Sequence, residues 1–412
     1  MTIKKIRNIF VIGIMTVVTK IDAQSNKSEK PLPSTLSIGT SKDSVPQKDV
    51  MDLVDKVFKL KTSNKSDSAQ TQPGKILLSV FPAFGYALQS GEVAILAINV
   101  SFYTAGGFTN LSSITFNPQY SVMHQVVLPL IASVWNKNNT LNFLGDWRFY
   151  KYPSYTYGLG SRTLLSKVDS LDYSYIKFYQ EVLGKIGYNL YAGGGYDLDY
   201  HYDIKDYGNS TNFDKYNAGK TTTVSSGLIA HIKYDTRKNV NNPKTAFYAS
   251  ASYRYNSTIL GSNNNWQAVQ IEIKKYYKLT KKGNNILAFW SWNEFTFGRK
   301  PPYLDLPSTG WDTYNNTGRG YIQGRFRGAN MAYLESEFRF NILKNGLLGG
   351  VIFSNAEAVS RNLGNNKNII SPGEGAGIRI KLNRYSDTNL AVDYGFGTGG
   401  SRGVFFNIGE VF

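Results

Sequence analysis

The 412-residue chain has no cysteine, only three histidines, and no unbroken apolar run long enough to cross a bilayer as a helix. The first absence excludes a disulfide framework, a thiolate metal site and a lipid-anchored cysteine. His124, His201 and His231 are too widely spaced to form a zinc-ligand cluster, so no metal is expected and each reads as an ordinary strand or loop residue. The third absence excludes helical membrane spans. Acidic residues are scarce, 29 against 46 basic, for a net charge of +17. Residues 1–74 hold 12 basic and 7 acidic residues, or +5, which leaves +12 for the remainder. Such an excess fits nucleic acid, an anionic membrane surface or a positive interior facing an anionic partner. No nucleophile elbow, metal cluster or phosphate-binding glycine loop opening a helix is present, so neither an enzyme nor a cofactor is expected.

What is present begins with an address. Lys4, Lys5 and Arg7 precede the apolar run Ile9 to Val18, and Ala23 offers a small residue for cleavage before Gln24. This is the pattern of a signal peptide over 1–23, and export argues against a nucleic-acid partner. Residues 24–73 are rich in Ser, Lys, Asp, Thr, Gln and Pro and cannot bury enough apolar surface to offset their ordering entropy. They read as a disordered periplasmic tail, with one short helix over 50–60 where Val50, Met51, Val54, Phe58 and Leu60 share a face.

From residue 74 to 412 the period changes to two. In Ala332–Ile342, Leu334, Phe338, Phe340 and Ile342 alternate with Tyr333, Glu335, Glu337 and Arg339; in the last run, 403–412, Val404, Phe406, Ile408 and Phe412 share a face. Sixteen such runs can be counted, many of 10–15 residues, longer than most globular strands and long enough to cross a bilayer when tilted. Taken alone, one strand does not say whether its apolar face points to a core or to lipid. The signal peptide, the number and length of the strands and the terminal Phe412 together favour lipid. The expected fold is all-β: a 16-stranded antiparallel transmembrane barrel with high Tyr and Gly content. The longest connection, 299–330, lies between strands 11 and 12 and carries Arg319, Gly320, Tyr321, Gly324, Arg325, Phe326 and Arg327. Connections of this length are functional or disordered, and its glycines and aromatics favour ordered packing.

These residues resemble a known family, the bacterial surface antigen family of 16-stranded outer-membrane barrels, which includes outer-membrane protein insertases and two-partner-secretion transporters. The resemblance covers residues 75–412. Arg319-Gly320-Tyr321 with Gly324-Arg325-Phe326 is similar to the family's inward-folded loop motif, and Glu337-Phe338-Arg339 to the Glu-aromatic-Arg of the next strand. Tyr234-Asp235-Thr236-Arg237 resembles the mid-barrel Asp-x-Arg turn, and Phe406-Asn407-Ile408-Gly409 ending at Phe412 the closing strand that signals barrel assembly. Three departures stand out: a short tail is read where the family usually places periplasmic transport-associated domains, Asn355 stands where the family often has Asp, and Ala246 replaces a usual glycine. The resemblance implies an integral outer-membrane protein of a Gram-negative bacterium that assists assembly, insertion or translocation of proteins or lipids, or else a structural barrel or pore scaffolding a complex. Implied partners are outer-membrane lipids including lipopolysaccharide, the barrel-assembly machinery during biogenesis, and a client polypeptide or accessory outer-membrane protein. It also implies that Arg319 meets lumen acids. Glu357 is the favoured partner because it lies nearest the missing Asp, then Glu337, with Glu335 and Asp393 on the same polar faces. Phe406, Ile408 and Phe412 would form the lipid-facing assembly signal.

Overall fold

The computed structural model describes residues 46–50, 52, 75–87, 89–107, 109–211, 213–280, 285–361 and 369–412. The signal peptide expected over 1–23 and most of the helix expected over 50–60 lie outside these residues. The remainder is almost entirely antiparallel sheet, because alternation with few prolines lets each run ladder with the next. Nineteen strand segments make sixteen strands, since three are interrupted and resume in the same direction. They are β1 (Leu77–Ala87), β2 (Gly91–Phe102, continued by Thr104–Gly107), β3 (Ser112–Phe116 and Gln119–Ser121), β4 (Val126–Trp135), and β5 (Leu141–Lys151 and Ser154–Thr156). Then come β6 (Asp169–Gly187), β7 (Leu190–Asp206), β8 (Thr223–Asp235), β9 (Ala246–Asn256), β10 (Trp266–Lys278) and β11 (Ile286–Gly298). The chain ends with β12 (Asn330–Asn341), β13 (Leu348–Ser360), β14 (Ile370–Asn383), β15 (Thr388–Gly397) and β16 (Arg402–Ile408).

Each strand ladders with its sequence neighbour from β1–β2 through β15–β16. The meander brings β16 back beside β1, where the ring of Phe406 lies so close over Gly85 that a Cβ there would come within 2.0 Å of it. Among the described residues no ladder joins these two strands; β1 is laddered only to β2 and β16 only to β15. The resulting barrel is inverted relative to a soluble protein. Glu335 and Glu337 are 3% and 1% exposed, whereas their neighbours Leu334 and Ile352 are 62% and 57% exposed. The polar faces therefore line the interior and the apolar faces form the outside, the arrangement suited to a hydrocarbon solvent.

The closing strand departs from the expected 403–412. β16 stops at Ile408 because Gly409 takes φ +91°, a left-handed conformation in which alternation ends. The Gly409 N–H then donates to the Asn389 carbonyl (2.8 Å) and that of Glu410 to Asn241 (2.7 Å). Phe412 is consequently buried, stacked on Trp290 at 5.3 Å, rather than lipid-facing. Phe406 and Ile408 remain half-buried on the strand. On the same rim, Arg384 in the β14–β15 turn holds Asp52 at 2.7 Å, and Lys48 N–H donates to the Asn345 carbonyl in the β12–β13 turn.

Candidate functional site

The site is the β11–β12 connection and the walls it touches. Its backbone is held first by its own chain: the Asp312 carboxylate accepts from the N–H groups of Asn316 (2.8 Å) and Thr317 (2.7 Å), and Arg327 donates to the carbonyls of Tyr303 and Leu304. Gly320 stands at φ +114°, and a Cβ on it would come within 2.5 Å of the Phe396 carbonyl. Only glycine fits both constraints.

That close approach is matched from the wall. A Cβ on Gly395 of β15 would lie 2.8 Å from the Gly320 nitrogen, and one on Gly373 of β14 would lie 2.8 Å from the Arg319 carbonyl oxygen. The glycines of β14 and β15 thus form a shallow seat for the Arg319-Gly320 backbone. Tyr321 pins the seat's edge, its hydroxyl donating to the Pro372 carbonyl (2.5 Å) and accepting from the Thr398 N–H (3.0 Å).

Seated there, the fully buried Arg319 guanidinium reaches Asp393 on β15 at 2.5 Å and forms ion pairs with both Glu335 and Glu337 of β12. Its plane also faces the Phe353 ring at 3.7 Å. The network continues: Arg339 pairs with Glu337 (2.6 Å), and Arg379 bridges Asp393 (2.5 Å) and Glu410 (2.7 Å). Buried ions of this density are tolerable only when every charge has partners.

Glu357, the expected principal partner, is not in this network. Arg319 turns along the wall toward β12 and β15, while Glu357 accepts 3.1 Å hydrogen bonds from the Thr309 hydroxyl. Asn355, at the position where an Asp was anticipated, explains the difference. Its amide donates to the Arg319 carbonyl (2.9 Å), a bond a carboxylate could not make. Of the other motif residues, Arg325 binds the Thr163 hydroxyl and carbonyl of the β5–β6 connection (2.6 and 2.7 Å), and Phe326 packs edge-on against Tyr321. The Asp-x-Arg turn is an ion pair, Asp235 to Arg237 at 2.9 Å, with Arg237 stacked on Tyr248.

The sequence did not single out a second anchor on β5 and β6. Trp311 inserts among Tyr150, Tyr152 and Tyr175, with ring centroids 5.7–6.4 Å apart. Arg148, clamped by Asp146 at 2.6 Å, donates to Asn315 (3.2 Å) and to the Thr313 carbonyl. Nearby, Asp305 accepts from Ser225 at 2.5 Å and faces His201, which lies flat on Tyr175. The tyrosines share one face of their strands, a signal present in the alternation but indistinguishable there from an ordinary polar face. The loop also touches the chain's last residues, Asn316 donating to the Val411 carbonyl at 2.9 Å.

A sixteen-strand antiparallel meander with a polar interior, an apolar exterior and a long loop bound to two separate walls defines the class of the protein. Among known structures it is similar to CdiB from Escherichia coli (10% identity, 81% of this chain and 62% of that one, TM-score 0.54) and CdiB from Acinetobacter baumannii (12%, 81% and 59%, TM-score 0.51). It also aligns with BamA from Haemophilus ducreyi lacking POTRA domains 1–3 (13%, 87% and 77%, TM-score 0.49). The chain spans about three fifths of the length of the two CdiB structures. No protein-family model and no curated protein matches the sequence.

Proposed function

We propose that this chain is an integral outer-membrane barrel that assists assembly, insertion or translocation of polypeptides, with the β11–β12 loop as a plug and the β1–β16 junction as a seam. The observation that carries this reading is the junction itself. Every other neighbouring pair among the sixteen strands is laddered, whereas β1 and β16 meet through the Phe406 ring over Gly85. Unpaired strand edges are templates for pairing with another chain, so a junction closed by a side chain can admit a client strand at little cost in hydrogen bonds. The inverted burial supports the membrane, and the signal-like amino terminus supports export. The similarity to CdiB supports the fold.

In this reading Arg319, Gly320 and Tyr321 fix the plug, and Glu335, Glu337 and Asp393 receive it. Phe406 and Ile408 serve the assembly signal, while Phe412 contributes through internal packing. Outer-membrane lipids including lipopolysaccharide surround the apolar face, the barrel-assembly machinery inserts the chain, and the client is a polypeptide. No catalytic chemistry is involved. Depletion followed by proteomics of the outer membrane tests the proposal: a defined subset of outer-membrane or exported proteins should fall. An unchanged proteome would favour a structural barrel scaffolding a complex, for which the network of buried ion pairs offers rigidity.

A further inference from the structure

A cavity of about 330 Å³ remains inside the barrel beside the loop, running from Asn241 in the β8–β9 turn to Asp305 and Ser308 of the loop. The chain as a whole carries +17, yet the lining of this cavity carries ten Asp and Glu against six Lys and Arg. The basic excess is therefore not directed inward, and the interior facing the cavity is acidic.

The imbalance is sharpest around Asp197, Asp199, Glu294 and Asp305. Arg254 lies 2.6 Å from Asp199 and 3.9 Å from Asp197, while Lys177, whose charge also reaches Asp197, Asp199 and Glu294, is bound to Asp146 at 2.8 Å. Asp199 is fully used, since Tyr175 and Tyr179 also donate to it. Asp197 is not: it is 1% exposed, lines the cavity, and its Oδ1 has no hydrogen-bond partner among the described residues. The same holds for Nδ1 of His201, which is 2% exposed. Buried carboxylate oxygens without donors are costly, and desolvation together with the charge of Asp199 pushes the Asp305 carboxyl above the ordinary carboxylate range. A polar cavity with an excess of acids, one of them inclined to hold a proton, and an idle acceptor lowers its energy by taking up a donor that is also a cation, which displaces that proton.

We propose that this cavity binds a protonated amine or guanidinium group, and that the client segment entering the barrel is accordingly basic. The second clause rests on the assembly or translocation reading; amine binding does not. One long cationic side chain fits the available volume, with its head between Asp197, Glu294 and Asp305 and its stem along Trp266 and Trp292, which line the same cavity. Aromatic walls and a low-dielectric surround strengthen such contacts.

The test uses the full chain purified in a zwitterionic detergent at low ionic strength, where screening is weak. Fluorescent tetralysine and tetraglutamate are titrated against it. Tetralysine should bind saturably and tetraglutamate should not. The net charge favours the opposite order, so non-specific attraction cannot produce this result. Asp197→Asn with Glu294→Gln should weaken tetralysine binding by about tenfold or more, the low end of the focusing expected for a cleft of one sign, with heat-modifiable migration retained. If that pair does not fold, Glu294→Gln alone, which breaks no ion pair among the described residues, should weaken binding in the same direction. Tighter binding of tetraglutamate, non-saturable tetralysine binding, or unchanged affinity in the folded variant would each overturn the proposal. An unchanged outer-membrane proteome on depletion, with tetralysine binding intact, would instead overturn the client reading and leave the amine site standing.

Discussion

Arg319 and Asp393 meet at 2.5 Å with neither side chain exposed, although 74 residues separate them in the chain. Because Arg319 is shared with Glu335 and Glu337, removing it leaves buried Glu335 without an ion-pair partner and takes one partner each from Glu337 and Asp393, which keep Arg339 and Arg379. Arg319→Ala is therefore expected to cost about 3–5 kcal/mol, the range for breaking a buried pair. The measurement is the urea midpoint of refolded protein in detergent. An unchanged midpoint would mean that the loop is not held by this network.

Gly395 makes a different prediction, since it carries no charge. Valine there would drive a side chain into the Gly320 backbone, which is 2.8 Å from where even a Cβ would sit. Gly395→Val should leave the barrel heat-modifiable but expose the 299–329 connection to protease. Protection equal to wild type would show that the glycine seat is not what positions the loop.

The opposite wall should hold the loop independently. Trp311→Ala removes the ring packed among Tyr150, Tyr152 and Tyr175 while the Arg319 network stays whole. Single-channel conductance in planar bilayers is expected to rise or fluctuate more than in wild type, with little change in the unfolding midpoint. Conductance identical to wild type would assign the aromatic cluster to packing alone.

How much of this could be read from the chain depends on which physical rule governs each feature. The sixteen strands were legible because alternation over ten or more residues has few competing explanations, and the inverted barrel followed once the signal-like pattern of the amino terminus was weighed with strand length. Arg319 stood out through its glycines. Its partners did not separate, because Glu335, Glu337, Glu357 and Asp393 all lie on polar faces and only the path of the loop decides among them. The choice of Glu357 treated Asn355 as a lost acid, whereas the amide binds the Arg319 backbone. Phe412 was assigned by extending the period of two through Gly409, whose positive φ breaks it. Asp197, Asp199 and His201 sit on one face of β7 in plain alternation, but which of their atoms find hydrogen-bond partners depends on strands brought in from elsewhere.

Phe412 gives a prediction that separates packing from signalling. Its ring stacks on Trp290 and Tyr276 inside the barrel, and Arg339 donates to its carbonyl at 3.2 Å. Phe412→Ala should cost about 3–5 kcal/mol, as for a large aromatic deleted from a core, and Phe412→Trp should cost less despite its size. If refolding stability in detergent is untouched while membrane levels fall, Phe412 acts as a recognition signal rather than through its contacts.

The central claim, that the β1–β16 junction opens to admit a client, is tested most directly by locking it. The chain has no cysteine of its own, so Gly85→Cys with Phe406→Cys places one thiol on each side of the junction, where the native ring and glycine touch. Joined by a short reducible crosslinker, the double variant should reproduce the outer-membrane proteome of depleted cells, and reduction should restore the wild-type pattern. A crosslinked protein that maintains the normal proteome would contradict the account.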